Sequence, residues 1–260
     1  KIEEMKGLFS KYKNQLSWND FSLQLAKTRM KSYGTVTLNS LMDSRVNLSF
    51  SPLSFKEFEP WMSAFKLYGA PNITLDVTNN LKRNDISLSM REGNQQIKLS
   101  GWFKEQADKS EFDLALAINN LNGAHWTNLP KLKSLINGEV NIKGRGTDFQ
   151  QNRMDIGGKF GYFRYGDYET DDLIFQITKK QGDIKGNLQV KTWFGKVFSD
   201  FQLKDVFEEF HYDINALFQQ MDLSKLTKYK NLSSSLNVKI QTSGEGMDPD
   251  SMTSEMDMNI

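Results

Sequence analysis

The sequence contains no cysteine. Disulfide bonds, thiolate nucleophiles and cysteine-ligated zinc are therefore excluded from this chain. Histidine is scarce as well, because only His125 and His211 occur and each stands alone beside an aromatic residue. A lone histidine in such a setting is typical of a packed or solvated side chain rather than a catalytic one. We therefore predict that the protein is not an enzyme and has no metal or other cofactor.

An excess of charge of one sign is missing too. The chain has 33 lysines and arginines against 32 aspartates and glutamates, which leaves a formal net charge of +1. Such a balance gives no overall field that would attract a polyanion. We therefore expect no nucleic-acid partner.

Motifs that bind phosphate or calcium are absent in their complete form. Gly144-Arg145-Gly146 is followed by a polar loop and a strand rather than by a helix, so it predicts no anion site. The acidic run between Asp167 and Asp172 lacks the ligand spacing of a calcium-binding loop. A solvated turn is the simpler interpretation of that run.

Long hydrophobic runs are also missing. The apolar runs are only a few residues long, far below the roughly 20 residues that span a bilayer as a helix. The sequence begins with Lys1 and reaches Ile260 within a strand-like pattern. We expect it to be a fragment of a longer protein, with any signal or anchor outside these residues.

What the sequence has in abundance is strict alternation of apolar and polar residues. From Trp18 onward, short segments such as Ile73, Leu75 and Val77 repeat this pattern between turn signals. Each such segment predicts a strand with one apolar face. Because no long helices follow to cover that face, we expect the sheet to curl around it.

The first 17 residues differ from the rest. Apolar residues recur there at steps of three and four: Ile2, Met5, Phe9, Tyr12 and Leu16. This spacing predicts an amphipathic helix over residues 1–17, which we interpret as an end cap on the β body. The alternative is a helix on a membrane surface, which Glu3 and Glu4 disfavour because they dilute its basic face.

The sequence also repeats itself at a spacing of 100 residues. The glycines of the first copy return in the second, and we predict that all four form structural turns: Gly144, Gly146, Gly244 and Gly246. The repeat units run over roughly 46–111, 112–211 and 212–260 within one continuous body, 18–260. A repeated supersecondary unit favours a stacked architecture.

The predicted fold class is therefore all-β. We expect an elongated, curved and twisted, mainly antiparallel sheet that forms an open groove with an apolar lumen, together with short helical segments and the N-terminal amphipathic helix.

Three segments resemble the repeat region of AsmA-like proteins, in particular the TamB (translocation and assembly module) family: Phe112–Phe149, Phe160–Val190 and Tyr212–Leu226. In that family a strand, a short "dL…L.P" segment, an "L.G.v.v.G.G" strand and a tyrosine turn follow in this order. The resemblance implies a protein of the bacterial periplasm, anchored in the inner membrane, whose curved sheet conducts phospholipid toward the outer membrane. It further implies an outer-membrane barrel as an assembly partner.

The resemblance carries over no catalytic residues, only the apolar face. Residues spaced by two share one face of a strand, so we predict that acyl chains contact the following side chains: Val140, Ile142, Ile156, Phe160, Phe175, Ile177, Leu188, Val190, Val238, Ile240 and Met256. Two other functions stay open at this point. One is a scaffold for the translocation and assembly of outer-membrane proteins, and the other is a passive stalk whose apolar face is filled by its own side chains.

Overall fold

The computed structural model describes residues 2–38, 43–59, 67–80, 83–105, 110–146, 148, 150–165, 168–208, 210–227, 231, 234–246 and 253–259. In these residues sixteen strands follow one another in chain order in an antiparallel sheet that does not close on itself. The predicted all-β, mainly antiparallel and open fold is confirmed. Two compact units divide the chain between them, with boundaries near residues 108–110 and 137–138.

Unit 1 comprises Lys1–Ala107 and Glu111–Asn137. Its strands are β1 (Ile2–Tyr12), β2 (Gln15–Leu25), β3 (Arg29–Thr37), β4 (Ser44–Phe50), β5 (Asn72–Asn79), β6 (Asn84–Glu92), β7 (Gln95–Lys104) and β8 (Glu111–Leu121). Three short helical elements accompany them: α1 (Phe55–Phe58), α2 (Gly123–Thr127) and a 3-10 turn (Pro130–Leu132).

Unit 2 comprises Asp108–Ser110 and Gly138–Ile260. Its strands are β9 (Ser134–Arg145, of which the first residues belong to unit 1), β10 (Arg153–Tyr165), β11 (Tyr168–Lys180), β12 (Asp183–Thr192), β13 (Gly195–Lys204), β14 (His211–Met221), β15 (Leu236–Glu245) and β16 (Thr253–Asn259). One short helix, α3 (Leu223–Thr227), follows β14. None of the described helices has the length and hydropathy of a membrane span.

The alternation seen in the sequence sets the register of the strands. In unit 1 the residues that lie directly opposite one another from β4 to β8 include an unbroken row of leucines: Leu48, Leu75, Leu88, Leu99 and Leu116. Directly opposite residues of neighbouring strands share a face, so the apolar side chains of all five strands lie together. Each of these leucines is half-buried.

A β-bulge keeps that face apolar where the alternation breaks. In β2, Trp18 pairs with Gly34 and Phe21 pairs with Ser32, so three steps on β2 match two on β3. Asp20 absorbs the extra residue with a φ of 57°. Trp18 and Phe21 therefore point to the same side although one is even-numbered and the other odd-numbered.

The predicted N-terminal helix is wrong, because residues 2–12 form strand β1. Ile2, Met5 and Phe9 lie opposite Leu25, Leu23 and Trp18 of β2, and so share one face. A register shift between Ile2 and Glu4 produces the first spacing of three, and Gly7, which has no side chain, produces the spacing of four. A bulge and a glycine on the apolar face of this strand therefore give its apolar residues the spacing of a helix.

Few large apolar side chains are buried in the described residues: Phe55, Trp126 and Met221, each 7–8% exposed, beside the smaller Pro71. Phe55 of α1 meets Trp126 of α2 edge to face, with ring centroids 5.8 Å apart. The indole Nε1 of Trp126 donates to Oε1 of Gln95 (3.0 Å), and the backbone N of Tyr68 donates to the Trp126 carbonyl (2.8 Å). The dry core of unit 1 therefore lies beneath its short helices rather than along its strands.

Strand β8, before α2, and strand β14, before α3, end in the same way, and the equivalent residues are 100 positions apart. Asn120 and Gln220 adopt left-handed backbone conformations, with φ of 53° and 54°. The N–H of Asn120 donates to Oδ1 of Asn137 (2.7 Å), and that of Gln220 donates to Oδ1 of Asn237 (3.0 Å). A side-chain amide thus takes the place of a main-chain acceptor in both segments.

The two helices also begin alike. The backbone N–H of Gly123 donates to Oγ of Ser134 (2.7 Å), and that of Leu223 donates to Oγ of Ser234 (2.9 Å). An N–H group at a helix start has no partner within its own helix, so the serine of the following strand supplies one. The same hydrogen bonds therefore recur 100 residues apart.

Candidate functional site

The register of unit 2 brings most of the predicted site residues onto one face of the sheet. Directly opposite residues from β10 to β15 form three rows: Ile156, Ile177, Gly186, Phe201, Ile214 and Thr242; Gly158, Phe175, Leu188, Ser199, Ala216 and Ile240; and Phe160, Leu173, Val190, Val197, Phe218 and Val238. We call this surface the apolar face of unit 2. Eight of the predicted residues lie in these rows.

Val140 and Ile142 of β9 belong to the same face. A β-carbon added to Gly138 would collide with the ring of Phe160, so the open side of Gly138 points toward the apolar face. Gly138, Val140 and Ile142 are spaced by two along one strand and therefore point the same way. Lys143, next to them, is exposed, as expected for the other face.

Met256 was predicted as the last member of the set. It lies in β16, where its backbone pairs with that of Thr242. The structure describes the backbone of Met256 but not its side chain, so this prediction lies outside what the structure describes.

The apolar face of unit 2 is only partly shielded from water. Every residue of its three rows is half-buried, whereas Lys159, which alternates with them on β10, is exposed. The rows are therefore less buried than Met221 at their end, which is 8% exposed.

At one end of this face, the last residue of β14 is packed. Phe218 pairs with Val238 and Met221 pairs with Leu236, so a bulge keeps Phe218 and Met221 on the same side. Met221 is 8% exposed, and a β-carbon on Gly195 would meet its sulfur. Met221 therefore forms a short packed rim at this end of the face.

Asp222 fixes the start of α3. Its Oδ1 accepts from Oγ of Ser224 (2.6 Å) and from the backbone N–H groups of Ser224 (3.0 Å) and Lys225 (3.4 Å). The hydroxyl hydrogen bond from Ser224 lowers the pKa of Asp222, and these two N–H groups and the ammonium of Lys225 act in the same direction against the cost of burial.

The opposite end of the face carries a buried lysine. Lys179 follows Phe175 and Ile177 at the apolar spacing of β11 and is only 2% exposed. Its Nζ donates to Oδ1 of Asn152 (3.0 Å) and lies 5.6 Å from the centre of the Phe207 ring. Burial lowers the pKa of Lys179, and the charge of Asp148 opposes that shift. The lysine ties the turn before β10 to this end of the face.

Sequence reasoning missed Lys179, although a signal was present. A lysine at an apolar position of a strand needs acceptors for its ammonium group, and a polar turn such as that around Asn152 can supply them. The unit 1 leucine row and the unit 2 row members on β13 were also missed as candidates, although they follow the same alternation.

The four predicted turn glycines divide into two kinds. Gly146 and Gly246 have φ of 89° and 87°, and their N–H groups donate to the carbonyls of Ser110 (2.7 Å) and Phe210 (2.9 Å). These two glycines end β9 and β15 in a conformation that other residues rarely adopt. The turn prediction is wrong for Gly144 and Gly244, which lie inside β9 and β15.

Both histidines lie beside carboxylates. Nε2 of His125 is 3.1 Å from Oε2 of Glu92, and Nδ1 of His211 is 3.7 Å from Oε2 of Glu245. The ring of His125 also stands edge-on to Trp126. In the described ranges, no group of three or more histidine, aspartate or glutamate side chains is placed to hold a metal ion.

Comparison of the chain with family models, with curated proteins and with solved structures finds no match. The resemblance to AsmA-like and TamB repeat regions therefore stays a prediction. What the site shows by itself is a mostly apolar, half-buried surface, with Met221 packed at one end and a turn held by Lys179 at the other.

Proposed function

We propose that the apolar face of unit 2 holds the acyl chains of phospholipids, and that the chain is a segment of a lipid-transfer protein of the bacterial periplasm. The observation that carries this proposal is the set of three rows, in which mostly apolar side chains from six strands lie together and are half-buried rather than fully buried. An extended apolar surface of this kind marks an interaction site in a soluble protein.

The energetics favour an acyl chain as the occupant. A chain of 16 carbons exposed to water costs roughly 13 kcal/mol, at about 0.8 kcal/mol per methylene group. A row of apolar side chains shields it without any specific polar contact. The three rows contain no charged residue: Lys143 and Lys159 lie on the opposite face, and Lys179 lies beyond the end of the rows.

The wider setting rests on the resemblance described above. The proposal includes an inner-membrane anchor outside the sequence given, transfer toward the outer membrane and an outer-membrane barrel as assembly partner. It includes no catalytic step.

A photocrosslinking experiment tests the proposal. Benzoylphenylalanine is placed at Ile156 or at Lys159, on the same strand but on opposite faces, and the chain is irradiated with phosphatidylethanolamine vesicles. We expect a lipid adduct by mass spectrometry at position 156 and none at position 159. Equal labelling, or no adduct at either position, would contradict the proposal.

A charge on the apolar face separates lipid binding from a passive stalk. With an open face, Ile156→Glu removes the lipid adduct from a crosslinker at Ile177, directly opposite, and leaves the melting temperature nearly unchanged. With a face filled by protein side chains, the buried carboxylate destabilises the unit by several kcal/mol, and no adduct forms in the parent chain. Adducts with unfolded outer-membrane strands in place of lipid would favour the scaffold function.

A further inference from the structure

Aromatic rings lie over glycines on the apolar face of unit 2. The three atoms nearest to a β-carbon built on Gly158 all belong to the ring of Phe175. The ring of Phe201 lies in the same way over Gly186, and the ring of Phe160 lies over Gly138. Each ring thus occupies the space that a side chain of the neighbouring strand would fill.

The three rings lean in one direction. Phe160 of β10 covers a glycine of β9, Phe175 of β11 covers one of β10, and Phe201 of β13 covers one of β12. The rings of Phe160 and Phe175 are stacked, with centroids 6.3 Å apart and planes inclined by 16°. Because atoms of all three rings lie where a β-carbon of the neighbouring strand would be, the rings lie along the sheet instead of standing away from it.

Unit 1 shows the same arrangement on its own strands. A β-carbon on Gly34 would collide with the ring of Trp18, and one on Gly7 would collide with the ring of Phe21. A second occurrence within the same chain argues against an accident of one strand pair.

Backbone conformation does not explain the glycines at 138, 158 and 186. Gly146 has a φ of 89°, which favours glycine, whereas these three lie in strands without a left-handed φ. Glycine weakens a strand interior because it has high conformational freedom and nothing to pack. The space above the backbone is therefore the feature that requires glycine at these positions.

We propose that Gly138, Gly158 and Gly186 are positioning residues, which let the phenylalanine rings lie flat and keep the apolar face low enough for an acyl chain to lie across it. The inference rests on the proposed function, because the chain that needs this space is the lipid acyl chain. Gly158 provides the cleanest test. Added β-carbons at Gly138 and Gly186 would also approach the carbonyls of Lys159 and Gln176, at 2.7 and 2.9 Å, whereas the nearest atoms at Gly158 are all ring carbons.

The chain also offers a matched control. Gly157 precedes Gly158 on β10 and points to the other face, and a β-carbon there meets only the carbonyl oxygen of Phe175, at 4.0 Å. Gly158→Ala and Gly157→Ala therefore add the same atom to the same strand, and only Gly158→Ala displaces a ring.

The experiment places benzoylphenylalanine at Leu188, directly opposite Phe175, in the full 260-residue chain with phosphatidylethanolamine vesicles. We expect Gly158→Ala to reduce the lipid adduct on the order of tenfold, which corresponds to about 1.4 kcal/mol. Gly157→Ala leaves the adduct unchanged. The double variant Gly158→Ala with Phe175→Leu restores it, because the shorter side chain fits beside the new methyl group.

Each other outcome overturns the inference. Unchanged labelling in Gly158→Ala shows that the ring position does not matter for lipid. Loss of labelling that Phe175→Leu does not restore, together with a lowered melting temperature, makes Gly158 an ordinary structural residue. If the chain with Gly158 intact gives no adduct, the proposed function fails and the inference fails with it.

Discussion

The two segments around α2 and α3 share a backbone arrangement but differ in what packs on it. In 120–137 the helix buries Trp126 against Phe55, and His125 approaches Glu92. In 220–237 the helix start is held by the carboxylate of Asp222, and Nζ of Lys225 donates to the carbonyl of Trp193 (3.1 Å). The repeated asparagine and serine thus set the path of the chain, while the packing beneath each helix is free to vary.

The largest expected difference between the segments concerns Trp126. Trp126→Ala removes a 7%-exposed side chain and its hydrogen bond to Gln95, so we expect unit 1 to lose about 3–5 kcal/mol of its free energy of unfolding. Hydrogen exchange of amides in β7 and β8 measures this loss for unit 1 alone. Trp193→Ala serves as the control, because Trp193 is 44% exposed and its removal changes stability by less than about 0.5 kcal/mol. If both variants lost the same free energy of unfolding, the difference in burial between Trp126 and Trp193 would not determine stability.

A smaller effect, similar in both segments, is expected at the asparagines. Asn137→Ala and Asn237→Ala remove the acceptors for the N–H groups of Asn120 and Gln220, which costs about 1 kcal/mol each. Asn137→Asp and Asn237→Asp keep an oxygen at the same place and retain more stability. Urea unfolding monitored by hydrogen exchange in β8 and β14 compares the pairs. An effect in one segment only would break the equivalence of the two.

The smallest expected effect is a difference between the two segments in how acid changes the stability of their helix starts. The lowered pKa of Asp222 means that its carboxylate stabilises the fold above the ordinary aspartate pKa of about 3.9, and that this stabilisation is lost as the pH falls through the lowered value. The equivalent residue in the first segment is Asn122, whose Oδ1 accepts from the N–H of Ala124 and carries no charge. We expect acid to reduce the exchange protection of the Ser224 amide but not that of the Ala124 amide.

Asp222→Asn is the control for that experiment. It should make the second segment respond to acid as the first one does. An acid response that persists in this variant would assign the effect to another group.

Much of the apolar face was predictable because strand geometry has a period of two. Spacing by two grouped Phe175 with Ile177 on one strand, and the register of the neighbouring strands adds Ile156 and Leu188 to the same face. The same logic failed in β1, where a register shift and Gly7 imitate a helical spacing. Bulges are tertiary features, since they depend on how many residues the partner strand offers.

The glycine and ring pairs could not be read from the sequence for a different reason. Gly158 and Phe175 are 17 residues apart, and only the register of β10 and β11 makes them direct neighbours. The pairing of Lys179 with Asn152 depends likewise on how a turn folds back over a strand end. Alternation reveals which side a residue faces, but not which residue lies opposite.

The straight rows of unit 2 have a consequence for how such a sequence tolerates change. Each row takes one residue from each of six strands, so a substitution alters one position in six and leaves the others in place. Insertion of a single residue in mid-strand is different, because it turns every following side chain of that strand to the other face. Many substitutions can therefore accumulate on such a surface without loss of its apolar character, whereas a one-residue insertion within a strand removes that character from part of the strand.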